Sequence, residues 1–385
     1  MRKLSKREKD FIQYGFLLFL ICITTYLVLT TLDIKLIPKI IRLVNKTYIF
    51  LGILTIIVYM IIESIVTHLI INAVQKTKVK FIGIKMATMG FYYNLVTPFA
   101  SGSQPMQIYA LTKYDVSLSK SVAIVTNKTV VFQSTVTVFC GILILLNKSL
   151  LMEQVHSVKV LITFGMIMNV SMLLGGLLIV FSPKQVKMIA EVLINFLSKF
   201  KTFKFLDSKR DRINHYIDDY NYSIKIFIKN VRILVLSILL TVLQLIAYFS
   251  IVYCVYKASN LRGVSYVHIM TLQVFLYMAI SPIPTPGNVG ANEVTFFTMF
   301  SNIIPKELLG YSVLLYSGFV YYFISVSYPP LKKKLHTICS LMLAKINYKI
   351  TLHECDADTQ PIFIHLHCTR ISLLAADARV LLFLA

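Results

Sequence analysis

The stretch 231–256, VRILVLSILLTVLQLIAYFSIVYCVY, carries Arg232 near its start and no other charge. An α-helix rises about 1.5 Å per residue and the hydrocarbon core of a bilayer is about 30 Å thick, so about 20 apolar residues suffice to cross it. This run is long enough to do so. Comparable runs lie at 11–31, 47–73, 121–147, 157–181, 264–283 and 307–330, which makes seven expected spans. The whole chain follows suit: it is 57% hydrophobic and 15% charged, with a mean hydropathy of +0.73. Soluble domains run about 45–50% apolar and about 25% charged. The composition excludes a soluble domain and a disordered tail. It also excludes a nucleic-acid-binding module, which would set a net charge of +22 on a polar background rather than an oily one. Six cysteines (Cys22, Cys140, Cys254, Cys339, Cys355, Cys368) lie too far apart to suggest a disulfide framework. The fold class is all-α, a polytopic helix bundle integral to a membrane.

The 11–31 run follows a basic leader, MRKLSKREKD, and ends without a small-residue cleavage site, so it reads as a retained span rather than a signal peptide. Lys and Arg near span ends mark the cytoplasmic side. They cluster at the N-terminus, at Lys76, Lys78 and Lys80, in the 182–230 loop with its ten basic residues, and at Lys332 to Lys334. The 32–46 loop, with Lys35, Lys39, Arg42 and Lys46, argues the other way. Seven crossings would also place Lys332 to Lys334 outside, so one further segment is expected to cross, for about eight in all. Within the basic loop, Ile189, Val192, Leu193, Phe196, Leu197 and Phe200 recur at helical spacing between lysines. Such a helix suits either an anionic leaflet or a cap on the bundle.

Two apolar segments are interrupted. Residues 81–105 read FIGIKMATMGFYYNLVTPFASGSQP and residues 281–304 read SPIPTPGNVGANEVTFFTMFSNII. Pro, Gly and polar residues stand where a continuous helix would have none. A bilayer tolerates such backbone only inside protein or beside a wet cavity, so broken or re-entrant helices are expected. A pair of them, one in each half of the chain, points to a transporter's central site. Buried ionisable groups add to that signal because each is costly in lipid. Glu63, Lys128 and Glu293 stand out, with His68, Asn94, Gln104, Asn127, Gln133, Gln244, His268, Gln273 and Asn292 as polar companions. For a single polar companion, an interhelical hydrogen bond is the plainer reading.

The stretch 91–133 and the element PIPTPGNVGANE at 282–293 resemble the two signatures of the flippase-like family, whose best-known member carries the membrane half of lysylphosphatidylglycerol synthase. The resemblance covers roughly residues 10–335. Asn94, Pro98, Gly102, Pro286, Gly287, Gly290 and Glu293 fall on the family pattern. Three places depart from it: Gln104 stands where an acidic residue is frequent, Asn288 replaces a glycine, and Asn127-Lys128 replaces a common Glu-Arg pair. The resemblance implies movement of a phospholipid or lipid-linked substrate between leaflets, with Asn94, Pro98, Gly102, Gln104, Lys128, Pro286, Gly287, Gly290 and Glu293 as substrate-binding residues. Glu293 is expected to face a cationic or hydroxyl-bearing headgroup, and Lys128 its phosphate. Tyr92, Tyr93 and Tyr109 would shape the passage.

The sequence contains no Walker A loop and no hydrolase or zinc-protease motif, so neither ATP nor another cofactor is implied. Two alternatives stand beside translocation. One is a phosphatidylglycerol lysyltransferase or its membrane half, although the fused members carry that chemistry on a separate soluble domain that has no counterpart here. The other is an assembly factor that transports nothing. The expected partners are a membrane phospholipid with an anionic or aminoacylated headgroup and either a second copy or a separate synthase. Nucleic acid is not among them. The expected location is the cytoplasmic membrane, with the N-terminus inside. The domain is drawn over 1–335 and a tail over 336–385. Residues 1–350 hold 37 Lys+Arg against 13 Asp+Glu, whereas 351–385 hold 2 against 4, so the last 35 residues read as a foreign or frame-shifted tail. Its His353, Cys355, His365, His367 and Cys368 fit no zinc spacing, so no metal is expected.

Overall fold

The computed structural model describes residues 44–97, 100–147, 158–182, 210–285 and 287–322, with a few positions between 185 and 196. The 11–31 span and the 336–385 tail lie outside the described residues, as do Pro98, Pro286 and the Ile189, Leu193, Leu197 and Phe200 positions of the 186–200 stripe. Two compact units divide the chain, Met1–Tyr321 and Tyr322–Ala385, and every α-helix of the described residues belongs to the first.

The described residues form ten α-helices and no strand: α1 Lys46–Val74, α2 Ile82–Val96, α3 Ser103–Lys113, α4 Leu118–Leu146, α5 Lys159–Phe181, α6 Arg210–Lys229, α7 Val231–Ala258, α8 Tyr266–Ile280, α9 Ala291–Phe300 and α10 Lys306–Ser317. Of these, α1, α4, α5 and α7 are long and apolar enough to cross a membrane. They match the expected spans at 47–73, 121–147, 157–181 and 231–256. The expected span at 264–283 is shorter than read, because α8 has 15 residues and stops where Ser281-Pro282 begins the second interruption. Proline has no N–H to continue a helix and crowds the preceding turn.

Start and stop signals are local. The Asn45 side chain accepts the Thr47 amide at 3.1 Å to open α1, Asn230 accepts the Ile233 amide at 3.3 Å to open α7, and Ser265 accepts the His268 amide at 3.2 Å to open α8. Inside the spans, several hydroxyls bond back to carbonyls one turn earlier, as Ser64 does to Met60 at 2.8 Å and Thr241 to Ser237 at 2.7 Å, whereas those of Thr67, Ser119 and Ser237 are buried without a partner.

Helices α1 and α7 pack against each other along their lengths and run antiparallel. The Asn45 amide meets the Ala258 carbonyl at 2.9 Å, joining the start of α1 to the end of α7. At the opposite end of the bundle, Gln75 Nε2, just past α1, donates to the Asp115 carbonyl at 3.4 Å, just ahead of α4. The Lys85 ammonium near the start of α2 sits 5.5 Å from the ring centre of Tyr114 at the end of α3. The α2–α3 pair therefore leaves and rejoins the bundle at one end, as a helical hairpin. The α8–α9 pair does the same at the other end. Tyr266 at the start of α8 bonds Ser250 of α7 at 2.7 Å, and Leu308 and Tyr311 of α10 pack on Ala258 and Val44. Both interruptions are thus breaks between antiparallel helices.

Close backbone approach holds these parts together. A Cβ on Gly83 would lie 2.2 Å from the Ser64 carbonyl oxygen, so α2 rests directly on α1. A Cβ on Gly165 would lie 1.9 Å from the Met278 carbonyl oxygen, so α5 rests on the end of α8. Around this interior the outer faces of α4, α5 and α7 expose Leu145, Leu146, Val160, Ile167 and Leu239. Apolar outside and small at the contacts is the pattern of a helix bundle solvated by lipid. Helix α6 differs: its charged side is exposed, while Tyr220, Ile224 and Phe227 are buried, the first two against Ala123 of α4.

Replacing Gly83 or Gly165 by leucine is expected to destabilise the detergent-purified protein by about 1–3 kcal/mol, the cost of overpacking. Gly141→Ala on α4, where nothing lies within 4 Å of a new Cβ, is expected to be neutral or stabilising by up to about 1 kcal/mol. Thermal unfolding midpoints check both.

Candidate functional site

The two breaks meet. The Gly287 amide points to the Thr97 carbonyl at 3.4 Å, and a Cβ on Gly287 would lie 2.8 Å from the Leu95 carbonyl oxygen. Gly287 has φ +58°, a left-handed conformation that glycine adopts without strain. The tips of the α2–α3 and α8–α9 hairpins, which come from opposite ends of the bundle, touch through their backbones.

The first break is tied by its own side chains. Thr97 Oγ1 donates to the Tyr93 carbonyl at 2.7 Å and accepts the Gly102 amide at 2.8 Å. Asn94 Oδ1 accepts the Ser103 amide at 3.1 Å. Two amides at the start of α3 are thereby satisfied from within the protein, as helix ends require. Gly102 is buried, and a Cβ there would strike the Thr97 side chain at 2.6 Å. Gln104 sits half-buried in the first turn of α3. Three residues on, and so on the same face, Gln107 is buried and donates to the Met86 carbonyl at 2.8 Å, clamping α3 to α2.

In the second break, Asn288 follows Gly287 with φ +61° and Gly290 has φ +83°. Asparagine is among the few side chains that enter this region readily, which explains how it can stand where the family pattern has glycine. Glu293 is buried at 6% exposure and caps its own helix: Oε2 accepts the Gly290 amide at 2.6 Å, while Oε1 accepts from Ser317 of α10 at 2.8 Å. Its carboxylate thus holds the break in shape. Beside it, Asn292 Nδ2 donates to the Tyr321 hydroxyl at 2.7 Å and Gln273 Nε2 donates to the Tyr316 hydroxyl at 2.7 Å. On the far side, Asn169 of α5 donates to Ser281 Oγ at 3.0 Å and accepts from Gln133 of α4 at 3.0 Å, fixing the start of the break to two spans.

Glu63 and Lys128, expected as separate buried charges, form an ion pair between α1 and α4, with side chains 12% and 15% exposed. Gln244 of α7 donates to Glu63 Oε2 at 3.0 Å, and Lys128 Nζ also reaches Gln107 Oε1 at 3.5 Å. The Lys128 ammonium therefore points inward to Glu63 and α3. Four helices share this one charge pair. Between it and the Glu293 end run half-buried tyrosines: Tyr59 packs at a tilt, 5.4 Å between ring centres, against both Phe91 and Tyr248, and Tyr248 lies 6.4 Å from Tyr277. Of the tyrosines expected to shape a passage, Tyr92 and Tyr93 pack edge-on at 5.2 Å beside the first break, but Tyr109 is exposed beneath Lys113 on the outer surface.

The structure so brings Asn94 and Gly102 to one tip and Gly287, Gly290 and Glu293 to the other, with Gln104 at the start of α3 and Lys128 in a second polar cluster joined to that helix through Gln107. Sequence reasoning missed Thr97, Gln107, Ser281 and Ser317. Gln107 had a signal, its i+3 spacing from Gln104. The other three are single hydroxyls, and nothing local distinguishes them from the many that bond within their own helix.

A family model described as the lysylphosphatidylglycerol synthase TM region matches residues 12–327. Comparison with curated proteins finds no match.

Removing one member of a buried ion pair leaves the other uncompensated, at a cost of about 3–5 kcal/mol, whereas replacing both by apolar groups costs far less. Glu63→Leu and Lys128→Met are each expected to lower stability strongly and the double variant to recover most of the loss. A double-mutant cycle on thermal unfolding measures this.

Proposed function

The chain belongs to the lysylphosphatidylglycerol synthase transmembrane family, and from that membership and the meeting of its two hairpins we propose that it moves a phospholipid or lipid-linked substrate between leaflets without ATP. The observation that carries this reading is the Thr97–Gly287 contact between breaks that come from opposite ends of the bundle. Hairpins of this kind, re-entrant from each side, bring helix ends to mid-membrane, where an alternating path for a polar group can be built. The headgroup passes along the interior bounded by Asn94, Gly102, Gln104, Lys128, Gly287, Gly290 and Glu293, and Pro98 and Pro286 join this substrate-binding set from the sequence pattern alone. Tyr59, Tyr248 and Tyr277 give it a half-open aromatic wall. The acyl chains stay in lipid against the exposed leucine, isoleucine and valine faces of the spans. Lys128 offers its ammonium to phosphate by exchange with Glu63, and Glu293 holds the second break open. The protein sits in the cytoplasmic membrane with its N-terminus and the 182–230 loop inside, as its basic loops direct.

Proteoliposomes carrying labelled anionic and aminoacylated phospholipids test the proposal. Exchange between leaflets well above empty vesicles is expected, with Gly287→Leu and Gly102→Val each reducing it at least tenfold while the protein remains folded. Exchange no faster than in empty vesicles, for every lipid tried, sinks the reading. The family description supports a second reading, lysine transfer to phosphatidylglycerol. Lysyl-lipid formed by this chain alone from lysyl-tRNA and phosphatidylglycerol would establish that one instead.

A further inference from the structure

Three turns gather at the end of the bundle from which the first hairpin leaves. Val74, Leu111, Val116 and Phe227 belong to one buried cluster, with Val79 packed against it. The α1–α2, α3–α4 and α6–α7 turns therefore sit over a common floor. Each carries exposed cations: Lys76, Lys78 and Lys80 in the first, Lys113 in the second, Lys229 and Arg232 in the third. Among the described residues none of these six is paired with a carboxylate, and Asp115 is the only acid in the three turns. Farther back on α6, Asp218 and Asp219 are engaged by Lys187 at 2.6 Å and His215 at 3.5 Å. Like charges gathered in this way repel one another unless counter-charge lies over them. The rim of the patch is oily. Phe81 directly follows Lys80, Val231 directly precedes Arg232, and Ile84 and Leu118 stand in the first turns of α2 and α4; all four side chains are exposed. Phe81 is 72% exposed at φ +57°, a strained conformation for a bulky side chain, so packing within the protein does not account for its place.

We propose that these three turns form a binding surface for anionic phospholipid headgroups, and that the bound lipids hold the base of the first hairpin against α1 and α4. A soluble polyanion would satisfy the cations and leave the apolar rim in water. An anionic phospholipid satisfies both, with its phosphate on the ammonium and guanidinium groups and its acyl chains on Phe81, Ile84, Leu118 and Val231. The lipid supplies the missing counter-charge to all three turns at once. It thereby removes a repulsion that would otherwise push the ends of α1, α2, α3 and α7 apart. This surface lies on the outside of the bundle, apart from the residues that bound the passage, and its lipid is a resident partner rather than cargo.

Binding is tested without lipid exchange, so the proposal fails or stands apart from the translocation reading. The full chain is reconstituted in phosphatidylcholine vesicles carrying a trace of spin-labelled phosphatidylglycerol or spin-labelled phosphatidylcholine, and the motionally restricted fraction of each label gives its relative association. Phosphatidylglycerol is expected to be preferred, and less so in high salt, because exposed charges are screened within about 10 Å at 0.1 M. Lys76→Gln, Lys78→Gln and Lys80→Gln together are expected to lower the preference by about fivefold or more, which is what a single basic residue near an anionic surface contributes. Lys46→Gln, Arg262→Gln and Lys306→Gln together, at the opposite end of the bundle, are expected to leave it unchanged. In detergent, added phosphatidylglycerol is expected to raise Tm above the value in added phosphatidylcholine. The Lys76, Lys78 and Lys80 variant is expected to lose that rise while keeping Tm in phosphatidylcholine at or above the unsubstituted value. Equal association of the two labels, no rise of Tm with phosphatidylglycerol, or an equal loss from both sets of substitutions overturns the proposal. A rise of Tm as large with heparin or inorganic phosphate also overturns it, in favour of a soluble anion.

Discussion

Hydrocarbon supplies no hydrogen bonds, so a helix broken inside an apolar bundle must have its freed N–H and C=O groups satisfied by the protein itself. The architecture turns on that constraint. Thr97 and Asn94 supply acceptors to the amides that open α3, Glu293 supplies one to Gly290, and the Thr97 carbonyl takes the Gly287 amide from the other hairpin. The two breaks are in part each other's solvent. Neither hairpin tip has this arrangement alone, which ties the two halves of the chain into one unit.

Charge follows the same logic. Glu63 and Lys128 each cost too much to leave single in an apolar bundle, and the pair is further bonded by Gln244 and Gln107. Because Gln107 also holds the Met86 carbonyl, the ion pair positions the first hairpin as well as neutralising two charges. Glu293 plays the matching part in the second hairpin through Ser317. Tyrosines that are neither sealed nor fully open connect the two clusters. They give the interior a surface that is apolar on the ring faces and polar at the hydroxyls.

The span-length helices were legible because hydrophobic run length is a local property, and α1, α4, α5 and α7 stand close to where the runs lie. The breaks were legible for the same reason: Pro, Gly and polar residues in an oily segment violate a local rule. Asn288 was legible as a departure but not as a tolerated one, since its left-handed φ belongs to the folded turn. The length of α8 was misread because apolar residues run on past the point where Ser281-Pro282 ends the helix. Thr97, Ser281 and Ser317 were invisible, since a hydroxyl in a helix looks alike whether it bonds its own turn or a neighbour.

By itself, then, the sequence determined that this is a helical membrane protein, which segments are long enough to cross, and where two of its helices must break. Those follow from residue-by-residue transfer energies and backbone chemistry, which need no partner. Only the tertiary structure decided that the two breaks face each other from opposite ends of the bundle. It also decided that Glu63 and Lys128 are one pair, and that Glu293 is a helix cap beside two unsatisfied amides. The meeting of the breaks, the ion pair and the Ser317 bond to Glu293 join residues tens to hundreds of positions apart, and such contacts arise from how the helices pack; the Gly290–Glu293 cap itself is local and spans three residues.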